Sequence, residues 1–449
     1  MNTNYIKDLV ERIISLENKY FLFEIKFKDK YPIWPYYRMY FYYGLLKSNN
    51  IFSERGVSQK KISLTTIRKF IKLVFYSKLH IGLLPQDKKY ILISSQRYKD
   101  DVEIYTQDLK DVLKNDYVEF SLSNKFNFHH GPVYLDLFKV LFKIIAQLLY
   151  RLNSTPNSIK NFFIEVGATD KFINEFKKYK IEYILWFWFY HLIFSIQKPI
   201  KVFVVGGVYY TPMIAAAQSL NIKVYEIQHG VINNFHLAYH FPKINRDGFF
   251  SEGILLLSNF WKSKAEYPIG TELITIGNNF YAAGESSRKK QKMIVILGDG
   301  TLARAIISFV SLNINYFIVN GYEVNYKLHP DEIYNWEKRY EDLGLMRENG
   351  LLKVITNTPS LADLLSDCSI IFGVNSTAIY EGLDRDCKAF ILDMQSSEYF
   401  DDLQLKGVVK KIDPHKLLTD EDLQFNPNKT EKFFAPTDFE SIKNLIMNK

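Results

Sequence analysis

The chain has 449 residues, of which 47% are hydrophobic, 16% aromatic and 24% charged, with a formal net charge of +8. A chain of this length is usually too long to fold around a single hydrophobic core, so two domains are predicted rather than one. The positive charge favours an acidic partner such as anionic lipid, a phosphorylated donor or a polyanionic polymer, but no zinc-ligand, helix-turn-helix or RNA-binding signature accompanies it, so nucleic acid is not expected.

The cysteines and the apolar segments bear on the cellular location. Cys368 and Cys387 are the only cysteines, and they form neither a disulfide framework nor a metal-ligand spacing, which favours a reducing cytoplasm. Charged residues interrupt the first 19 residues, so the core of a signal peptide is not expected there. The longest apolar run, residues 183–196, is shorter than the roughly 20 residues that cross a bilayer. We expect a cytoplasmic protein without a transmembrane helix, with peripheral attachment at the inner face of the plasma membrane left open.

Residues 1–85 are rich in aromatic residues and lysine and lack strand–helix alternation, which predicts an N-terminal helical segment. Within it, residues 60–78 carry basic residues, no acid, and apolar residues at helical spacing. This pattern fits either a basic amphipathic helix on an anionic membrane surface or a helix packed on its own domain. A second helix is predicted at residues 137–152, where the apolar arc is so wide that we expect burial within a domain rather than membrane contact.

Residues 86–281 show the alternation of an α/β domain. A helix is predicted near residues 101–114, and another begins at Thr211-Pro212, with Thr211 as the N-cap and Pro212 in the first helical position. Buried strands are predicted near residues 90–93, 117–122, 201–205, 223–227, 254–257 and 273–276.

A polar stretch at residues 282–292 predicts an interdomain linker, after which the alternation restarts. Residues 293–430 form a second Rossmann-like pattern, and residues 431–449 include a closing helix. Its strands are predicted at residues 293–297, 322–326, 354–355 and 369–374, with helices near residues 332–343 and 377–383. The expected fold is therefore α/β, with two Rossmann-like domains facing each other across a cleft.

Four polar residues directly follow predicted strands: His229, Asp299, His329 and Ser376. In an open parallel sheet the carboxyl ends of the strands share one edge, and ligands bind there. Residues far apart in the chain could therefore line one cleft.

The turn at Asn375-Ser376-Thr377 is the most informative of these. It ends a short buried strand and can cap the helix that follows, whose N-terminus would favour a phosphate. Glu381 lies a little over one helical turn beyond Ser376 and could reach a sugar hydroxyl beside that phosphate. The pattern predicts binding of a nucleotide-activated compound.

Two histidines are candidates for chemistry. His329, fixed by Pro330, could donate with Lys327 to a phosphate, or could be an exposed loop residue. His229 lies between a strand and Gly230, whose missing side chain would let a substrate approach. It could take a proton from an acceptor hydroxyl, or only order its loop.

Asp299 lies in the turn Gly298-Asp299-Gly300-Thr301 and allows three interpretations. The glycine-rich turn could cradle phosphate through backbone N–H groups, or Asp299 could act as a base or nucleophile at the sugar carbon. The third interpretation is a simple cap of the following helix.

Three short motifs together resemble the HG, HP and S…E signatures of GT-B glycosyltransferases. They are Gln228-His229-Gly230, Lys327-Leu328-His329-Pro330 and Asn375-Ser376-Thr377-Ala378-Ile379-Tyr380-Glu381. Among these enzymes the chain is most similar to those of bacterial surface polysaccharides: capsule Kdo transferases, polysialyltransferases and CDP-glycerol glycerophosphotransferases. The resemblance covers roughly residues 90–393.

The resemblance implies that His329 and Ser376 grip the nucleotide phosphate. Similarity to Kdo transferases makes Asp299 a catalytic candidate, and similarity to CDP-glycerol enzymes makes His229 one; the choice stays open. The expected donor-binding residues are Gly298, Gly300, Thr301, Lys327, His329, Asn375, Ser376, Thr377 and Glu381. The expected acceptor-side residues are Gly207, Gln228 and Gly230.

The expected activity is metal-independent transfer of a sugar, with no cofactor, from a nucleotide-sugar donor to a growing glycan of capsule or lipopolysaccharide O-antigen assembly. A cytidine nucleotide is favoured, and the acceptor is a glycan or a lipid-linked glycan. Two alternatives stay open: a nucleotide-sugar epimerase of the same fold, and a non-catalytic glycan-binding subunit of the assembly complex.

Overall fold

A computed structural model of the chain describes residues 5–48, 87–95, 97–99, 102–122, 132–282 and 290–447. The predicted basic helix at residues 60–78 and the middle of the predicted linker, residues 283–289, lie outside the described residues. Packing divides the chain into two compact units. The N-terminal unit takes in the described residues from Val10 to Phe280, apart from 46–48, together with residues 436–447. The C-terminal unit contains residues 281–435 and the short pieces 5–9 and 46–48.

The N-terminal unit is built on a parallel sheet whose central strands are buried on both faces. The strands of this unit are β1 (Lys26–Phe27), β2 (Tyr31–Pro32), β3 (Tyr90–Ser94), β4 (Tyr98–Lys99), β5 (Val102–Glu103), β6 (Tyr117–Ser121), β7 (Val133–Tyr134), β8 (Lys201–Val205), β9 (Lys223–Ile227), β10 (Gly253–Leu256) and β11 (Glu272–Thr275). Seven of them pair in the order β11-β10-β9-β8-β3-β6-β7, and β1 with β2 and β4 with β5 form two antiparallel ribbons. The order reverses between β3 and β8, which makes their carboxyl ends the topological switch point.

The C-terminal unit has a second parallel sheet. Its strands are β12 (Met293–Leu297), β13 (Glu323–Lys327), β14 (Lys353–Ile355), β15 (Ile370–Gly373), β16 (Lys388–Leu392) and β17 (Lys410–Ile412). They pair in the order β14-β13-β12-β15-β16-β17. Apolar side chains of β12 and β15, such as Ile294, Ile296 and Phe372, lie in the buried core of this unit. The switch point lies between β12 and β15.

Helices cover both sheets. They are α1 (Tyr5–Lys19), α2 (Trp34–Ser48), α3 (Gln107–Leu113), α4 (Asp136–Leu149), α5 (Asn157–Val166), α6 (Asp170–Gln197), α7 (Thr211–Ser219), α8 (Ala303–Val319), α9 (Trp336–Arg339), α10 (Glu341–Glu348), α11 (Leu361–Asp367), α12 (Thr377–Leu383), α13 (Asp401–Leu405), α14 (Asp420–Leu423) and α15 (Phe439–Met447). No helix among the described residues is long and apolar enough to cross a membrane.

Residues 10–45 of the aromatic N-terminal segment pack into the N-terminal unit. The buried guanidinium of Arg38 in α2 pairs with Glu17 of α1 through two contacts of 2.7 and 2.8 Å. The same group donates to the carbonyl oxygens of Leu237 (2.6 Å) and His240 (2.9 Å). A buried ion pair whose partners are both satisfied in this way fixes the relative placement of the elements that carry it. Arg38 therefore anchors the loop that follows β9.

The prediction that the helix at residues 137–152 is buried is wrong for one of its faces. Phe142 and Ala146 of α4 are buried, but Leu141, Ile144 and Leu148 are 46%, 52% and 72% exposed. These positions follow the i, i+3, i+7 spacing of one helical face. The sheet side of α4 takes only part of its wide apolar arc, because α4 contacts the unit mainly through α6.

The expected fold class, α/β with two Rossmann-like domains and an N-terminal helical aromatic segment, is confirmed. Local differences concern helix ends. The helix predicted near residues 332–343 is two short helices, α9 and α10, separated at Tyr340. Thr211 is the first residue of α7 rather than its N-cap, and its hydroxyl donates to the Val208 carbonyl (3.0 Å).

Candidate functional site

The carboxyl edge of the C-terminal sheet brings together three of the predicted loops. The loops after β12, β13 and β15 carry Asp299, His329 and Ser376, and β12 lies between the other two strands. His329 and Ser376 therefore follow strands that flank β12 and do not pair with each other. The turns after β12 and β15 flank the switch point of this sheet. His229 belongs to the N-terminal unit, after β9.

Asp299 caps the helix that follows it. One carboxylate oxygen, Oδ1, accepts from the Thr301 backbone N–H (2.7 Å), the Thr301 hydroxyl (2.6 Å) and the Leu302 N–H (3.1 Å). A carboxylate that satisfies free N–H groups at the start of a helix is the usual cap arrangement. The cap interpretation therefore holds for Oδ1, and a catalytic role for Asp299 stays a prediction.

Gly298 and Gly300 let two loops lie against each other. A Cβ atom on Gly298 would come within 2.1 Å of Glu332 Oε2, and one on Gly300 would come within 3.0 Å of the Asp331 side chain and 3.4 Å of His329 Nδ1. Neither position has room for a side chain. This close approach explains both glycines without a phosphate, so their predicted contact with phosphate stays untested.

Sequence reasoning missed Glu332, which organises the loop after β13. Its buried carboxylate accepts from the His329 backbone N–H (2.6 Å) and from the Tyr326 hydroxyl (3.2 Å). Burial raises the pKa of Glu332 to about 7, although these two hydrogen bonds lower it. A glutamate three residues after a turn residue is the spacing of a capping box, and that spacing was the available signal.

His329 presents one ring nitrogen at the edge of the sheet. Its side chain is 42% exposed, and Nδ1 accepts from the Asp331 backbone N–H (3.2 Å). Because Nδ1 accepts, the proton of the neutral ring is assigned to Nε2. Nε2 has no hydrogen-bond partner within the described chain. The loop thus holds an N–H donor ready for a ligand oxygen.

Lys327 is used within the fold. Its ammonium donates to the carbonyl oxygen of Thr356, just after β14, and to that of Leu328 (3.4 Å). Burial lowers its pKa. The Lys327 ammonium thus connects the ends of two strands, and its predicted contact with phosphate stays a prediction.

The turn after β15 carries the predicted cap. The Ser376 hydroxyl oxygen accepts from the Ala378 N–H (3.2 Å), which confirms Ser376 as the N-cap of α12. Asn375 and Thr377 on either side are partly buried, and Glu381 lies further along α12, also partly buried. A Ser that accepts through oxygen keeps its own hydroxyl proton, so Ser376 can still donate to a ligand.

In the N-terminal unit, His229 forms a chain with two residues that sequence reasoning did not identify. The Tyr239 hydroxyl lies 3.3 Å from His229 Nδ1 and 2.9 Å from an oxygen of the buried Glu226. Burial raises the pKa of Glu226 to about 7, against the lowering effects of Tyr239 and the Gly207 N–H. Burial, with smaller effects of His236 and Arg97, lowers the pKa of His229 to about 3. His229 is therefore neutral at physiological pH.

The ionisation of Glu226 decides which nitrogen of His229 carries the proton. When Glu226 is ionised it accepts from the Tyr239 hydroxyl, so His229 Nδ1–H donates to the phenol oxygen and Nε2 keeps a lone pair. When Glu226 is protonated it donates to Tyr239, whose hydroxyl then donates to Nδ1, and the ring proton lies on Nε2. Each state satisfies all three groups.

The predicted acceptor-side residues have different environments. The Gln228 amide is fully used: it accepts from the Leu257 N–H (2.9 Å) and donates to the Gly230 carbonyl (2.8 Å). A Cβ on Gly207 would come within 2.6 Å of a Glu226 oxygen, so glycine is required there. A Cβ on Gly230 would meet nothing within 4 Å, which leaves room beside His229 for a substrate.

No group of three or more His, Cys, Asp or Glu side chains that could hold a metal ion occurs within the described ranges. Both cysteines are buried free thiols.

The chain is thus an α/β protein with two Rossmann-like units, each of which carries polar groups at the carboxyl edge of its sheet. No family model matches the chain. It is 26% identical over 341 residues to the uncharacterized protein MJ1060 of Methanocaldococcus jannaschii, a match that covers 68% of this chain and 62% of that protein. The chain thus matches less than two thirds of the length of this relative.

Several solved structures are similar in outline. They include the UDP-GlcNAc 2-epimerase of Methanocaldococcus jannaschii in complex with UDP-GlcNAc and UDP (11% identity, TM-score 0.44, 80% of this chain and 98% of that one). Others are the spinosyn rhamnosyltransferase SpnG (11%, 0.43, 80% and 90%) and the kitacinnamycin glycotransferase (10%, 0.45, 80% and 91%). Similarity at this level carries no information about activity.

Proposed function

We propose that this chain is a glycosyltransferase that moves a sugar from a nucleotide-sugar donor to a glycan acceptor. The observation that carries the proposal is the carboxyl edge of the C-terminal sheet. There the Nε2–H of His329 lacks a partner within the described chain and stands on the loop that packs against the turn at the switch point. Open α/β sheets bind nucleotides at such places.

In this proposal the C-terminal unit binds the donor. The Nε2–H of His329 and the hydroxyl of Ser376 donate to the diphosphate or monophosphate, and Glu381 bonds the ribose. Hydrogen bonds to a charged phosphate contribute about twice as much as neutral ones. Fixed donors of this kind stabilise the charge that develops on the leaving phosphate. Transfer would then proceed without a metal ion.

The N-terminal unit binds the acceptor in this proposal. With Glu226 ionised, Nε2 of His229 is a hydrogen-bond acceptor beside the open space at Gly230. It would accept from the attacking hydroxyl and so orient it. Because the pKa of His229 is about 3, the imidazole is a weak base. The role proposed for it is therefore to orient the hydroxyl rather than to become fully protonated.

A thermal-shift screen with CMP, CDP, UDP and GDP and their sugar conjugates tests the proposal. We expect one nucleotide, with a cytidine nucleotide favoured by the sequence resemblance, to raise the melting temperature. The preferred nucleotide sugar is then incubated with and without candidate capsule and O-antigen glycans, and with excess chelator. Transfer that requires the glycan and survives the chelator supports the proposal. Free sugar and nucleotide formed without any glycan would instead identify an epimerase-type enzyme.

A further inference from the structure

The N-terminal unit contains a pocket that none of the predicted site residues line. Its cavity volume is about 60 Å³, and it opens to solvent on one side, so a ligand larger than a few waters would extend out of it. Its walls come from α2, α4, α6 and the segments after β6 and β8. The pocket therefore assembles residues that are distant in the chain.

The pocket lies at the switch point of the N-terminal sheet. Leu122, one residue after β6, forms one side, and Tyr209 and Tyr210, shortly after β8, form the other. In the sheet β3 runs between β6 and β8, so the pocket is at the carboxyl edge over β3. This is the position at which an open α/β sheet binds its ligand.

Tyrosine and tryptophan rings form most of the wall. The rings of Tyr40 and Tyr179 lie 4.6 Å apart, and that of Tyr209 lies 5.8 Å from Tyr40. Trp186 stacks on Tyr190 deeper in, at 5.4 Å. Flat apolar faces with a polar rim suit a sugar ring, which offers C–H groups to the face and hydroxyls to the rim.

Charged groups in the wall make no hydrogen bond or close ion pair with any described residue. Glu182 is only 7% exposed, yet its carboxylate makes neither a hydrogen bond nor an ion pair there. Lys139 and Lys143, one turn apart on α4, also line the pocket without a hydrogen-bond acceptor among the described groups. Buried charges are normally paired, because leaving one unpaired costs free energy. Glu182 is such a buried charge, whereas Lys139 is partly buried and Lys143 is exposed at the wall. Hydroxyl donors of a ligand would supply the hydrogen bonds that Glu182 lacks, and an anionic group would pair with the two lysines.

The pKa values agree with this geometry. Burial raises the pKa of Glu182, against the lowering effect of Lys143, Lys139 and Lys178. Burial, and then the neighbouring Lys143, lowers the pKa of Lys139. A bound anion would oppose the lowering of the Lys139 pKa, and hydroxyl donors would satisfy Glu182.

We propose that this pocket binds a sugar unit carrying one anionic group, a carboxylate or a phosphate, with that group on Lys139 and Lys143, the hydroxyls on Glu182 and the ring against the tyrosines. This inference rests on the proposed function in one respect, because it makes the sugar the terminal unit of an acidic acceptor glycan. The binding itself involves no nucleotide.

Ligand-observed NMR titrations of the full chain test it with four probes: glucuronic acid, glucose 1-phosphate, glucose and inorganic phosphate. We expect at least one of the two acidic sugars to bind at least tenfold more tightly than both glucose and phosphate. The one that does identifies the anionic group. Binding of phosphate as tight as that of the acidic sugars, or equal binding of glucose, would overturn the proposal.

Two variants locate the site. Lys139→Met should weaken acidic-sugar binding about tenfold and leave glucose unchanged, while Glu182→Gln should weaken both sugars. The matched controls are Lys160→Met on the exposed side of α5 and Glu175→Gln, two turns before Glu182 on α6, and both should bind as the wild type does. Loss of binding in the controls equal to that in the pocket variants would contradict the proposal.

The failure of this inference is separable from that of the proposed function. If the acidic sugars bind but no nucleotide does, the pocket stands and the glycosyltransferase proposal fails. If a nucleotide sugar binds and is used while no acidic sugar binds, only the pocket proposal is overturned.

Discussion

At the scale of single residues, the candidate site depends on which polar atoms the fold already uses. Asp299 Oδ1, the Gln228 amide and the Lys327 ammonium are occupied by backbone groups. His329 Nε2 and the space beside Gly230 are not occupied by any described residue. A sequence places all five at strand ends, but only the side-chain packing separates those that support a loop from those that can meet a ligand.

Residue-level packing also reveals two buried carboxylates that the sequence did not single out. Glu226 and Glu332 lie at or just beyond the carboxyl ends of β9 and β13, and both are fully buried. Burial raises the pKa of both to about 7. Prediction of such a pKa shift requires knowledge of how deeply the carboxylate is buried, and the spacing of residues in the sequence does not give this information.

His229 should change tautomer with pH while it stays neutral. As Glu226 ionises around pH 7, the ring proton should move from Nε2 to Nδ1, because Tyr239 turns to the carboxylate. Nitrogen-15 NMR of histidine-labelled protein distinguishes the two neutral forms, and the His229→Gln variant assigns the signals among the nine histidines. Glu226→Gln should abolish the pH dependence. A cationic His229 that titrates between pH 6 and 7 would contradict this network.

Glu332→Gln should stabilise the protein at high pH relative to the wild type. The folded-state pKa of Glu332 is raised from 4.5 to about 7, so the native state binds more protons than the unfolded state between these values. Wild-type stability therefore falls as pH rises through this window, and glutamine removes that loss. The free energy of unfolding of Glu332→Gln minus that of the wild type should rise by about 1–3 kcal/mol from pH 5 to pH 8.

The control for this measurement is Glu323→Gln on β13. Lys353 is the largest cause that lowers the pKa of Glu323, so its stabilising effect is present above pH 4.5 and is lost on acidification. The free energy of unfolding of Glu323→Gln minus that of the wild type should therefore fall as the pH rises. Thermal denaturation at several pH values measures both, and a flat difference for Glu332→Gln would refute the burial argument.

At the scale of elements, the sequence predicted most of what the structure contains. The strands were recognisable as short apolar runs ended by glycine or a polar turn, because parallel strands are covered on both faces. The helix Thr377–Leu383 was predicted with its Ser376 cap, because a cap residue directly after a buried strand indicates where the next helix begins. The pair α9 and α10 was predicted as one helix, because no glycine or proline marks the break at Tyr340.

The contact between the loops after β12 and β13 gives a test at this scale. Gly298→Ala places a Cβ within 2.1 Å of Glu332 Oε2 and should destabilise the protein by about 1–3 kcal/mol. Gly344→Ala on α10 is the matched control, since its Cβ meets nothing within 4 Å, and it should stabilise by about 0.5–1 kcal/mol. Chemical denaturation measures both. A neutral Gly298→Ala would show that the two loops do not pack closely.

At the scale of the whole molecule, both sheets share one topology, and each has a distinct group of polar residues at its carboxyl edge. The sequence could predict this twofold pattern, because the strand–helix alternation restarts after the polar stretch at residues 282–292. It could not predict the tyrosine-lined pocket, since α2 lies far from α4 and α6 in the chain and the aromatic residues of these helices suggest a buried core. The exposed row on α4 was missed for the converse reason: its apolar arc suggested burial.

The exposed apolar face of α4 and the net charge of +8 keep peripheral membrane contact as a prediction. We expect the chain to float with vesicles of phosphatidylglycerol but much less with those of phosphatidylcholine, and to dissociate at high salt. Replacement of Leu141, Ile144 and Leu148 by serine should lower binding at least fivefold, whereas Leu405→Ser, at an exposed position of the C-terminal unit, should not. Equal binding to both lipids, or to all variants, would contradict a role for this face.

Membrane contact and the pocket would be linked through α4, which contributes Lys139 and Lys143 to the pocket and the apolar row to the surface.

The central claim, that the carboxyl edge of the C-terminal sheet binds a nucleotide phosphate, is tested most directly by calorimetric titration. The nucleotide selected by thermal shift is titrated into the wild type, His329→Ala and the control His415→Ala, an exposed histidine of the same unit. Loss of a hydrogen bond to a charged phosphate should weaken binding by about 10- to 100-fold in His329→Ala, with the fold intact and the control unchanged. An unchanged dissociation constant in His329→Ala would contradict the assignment.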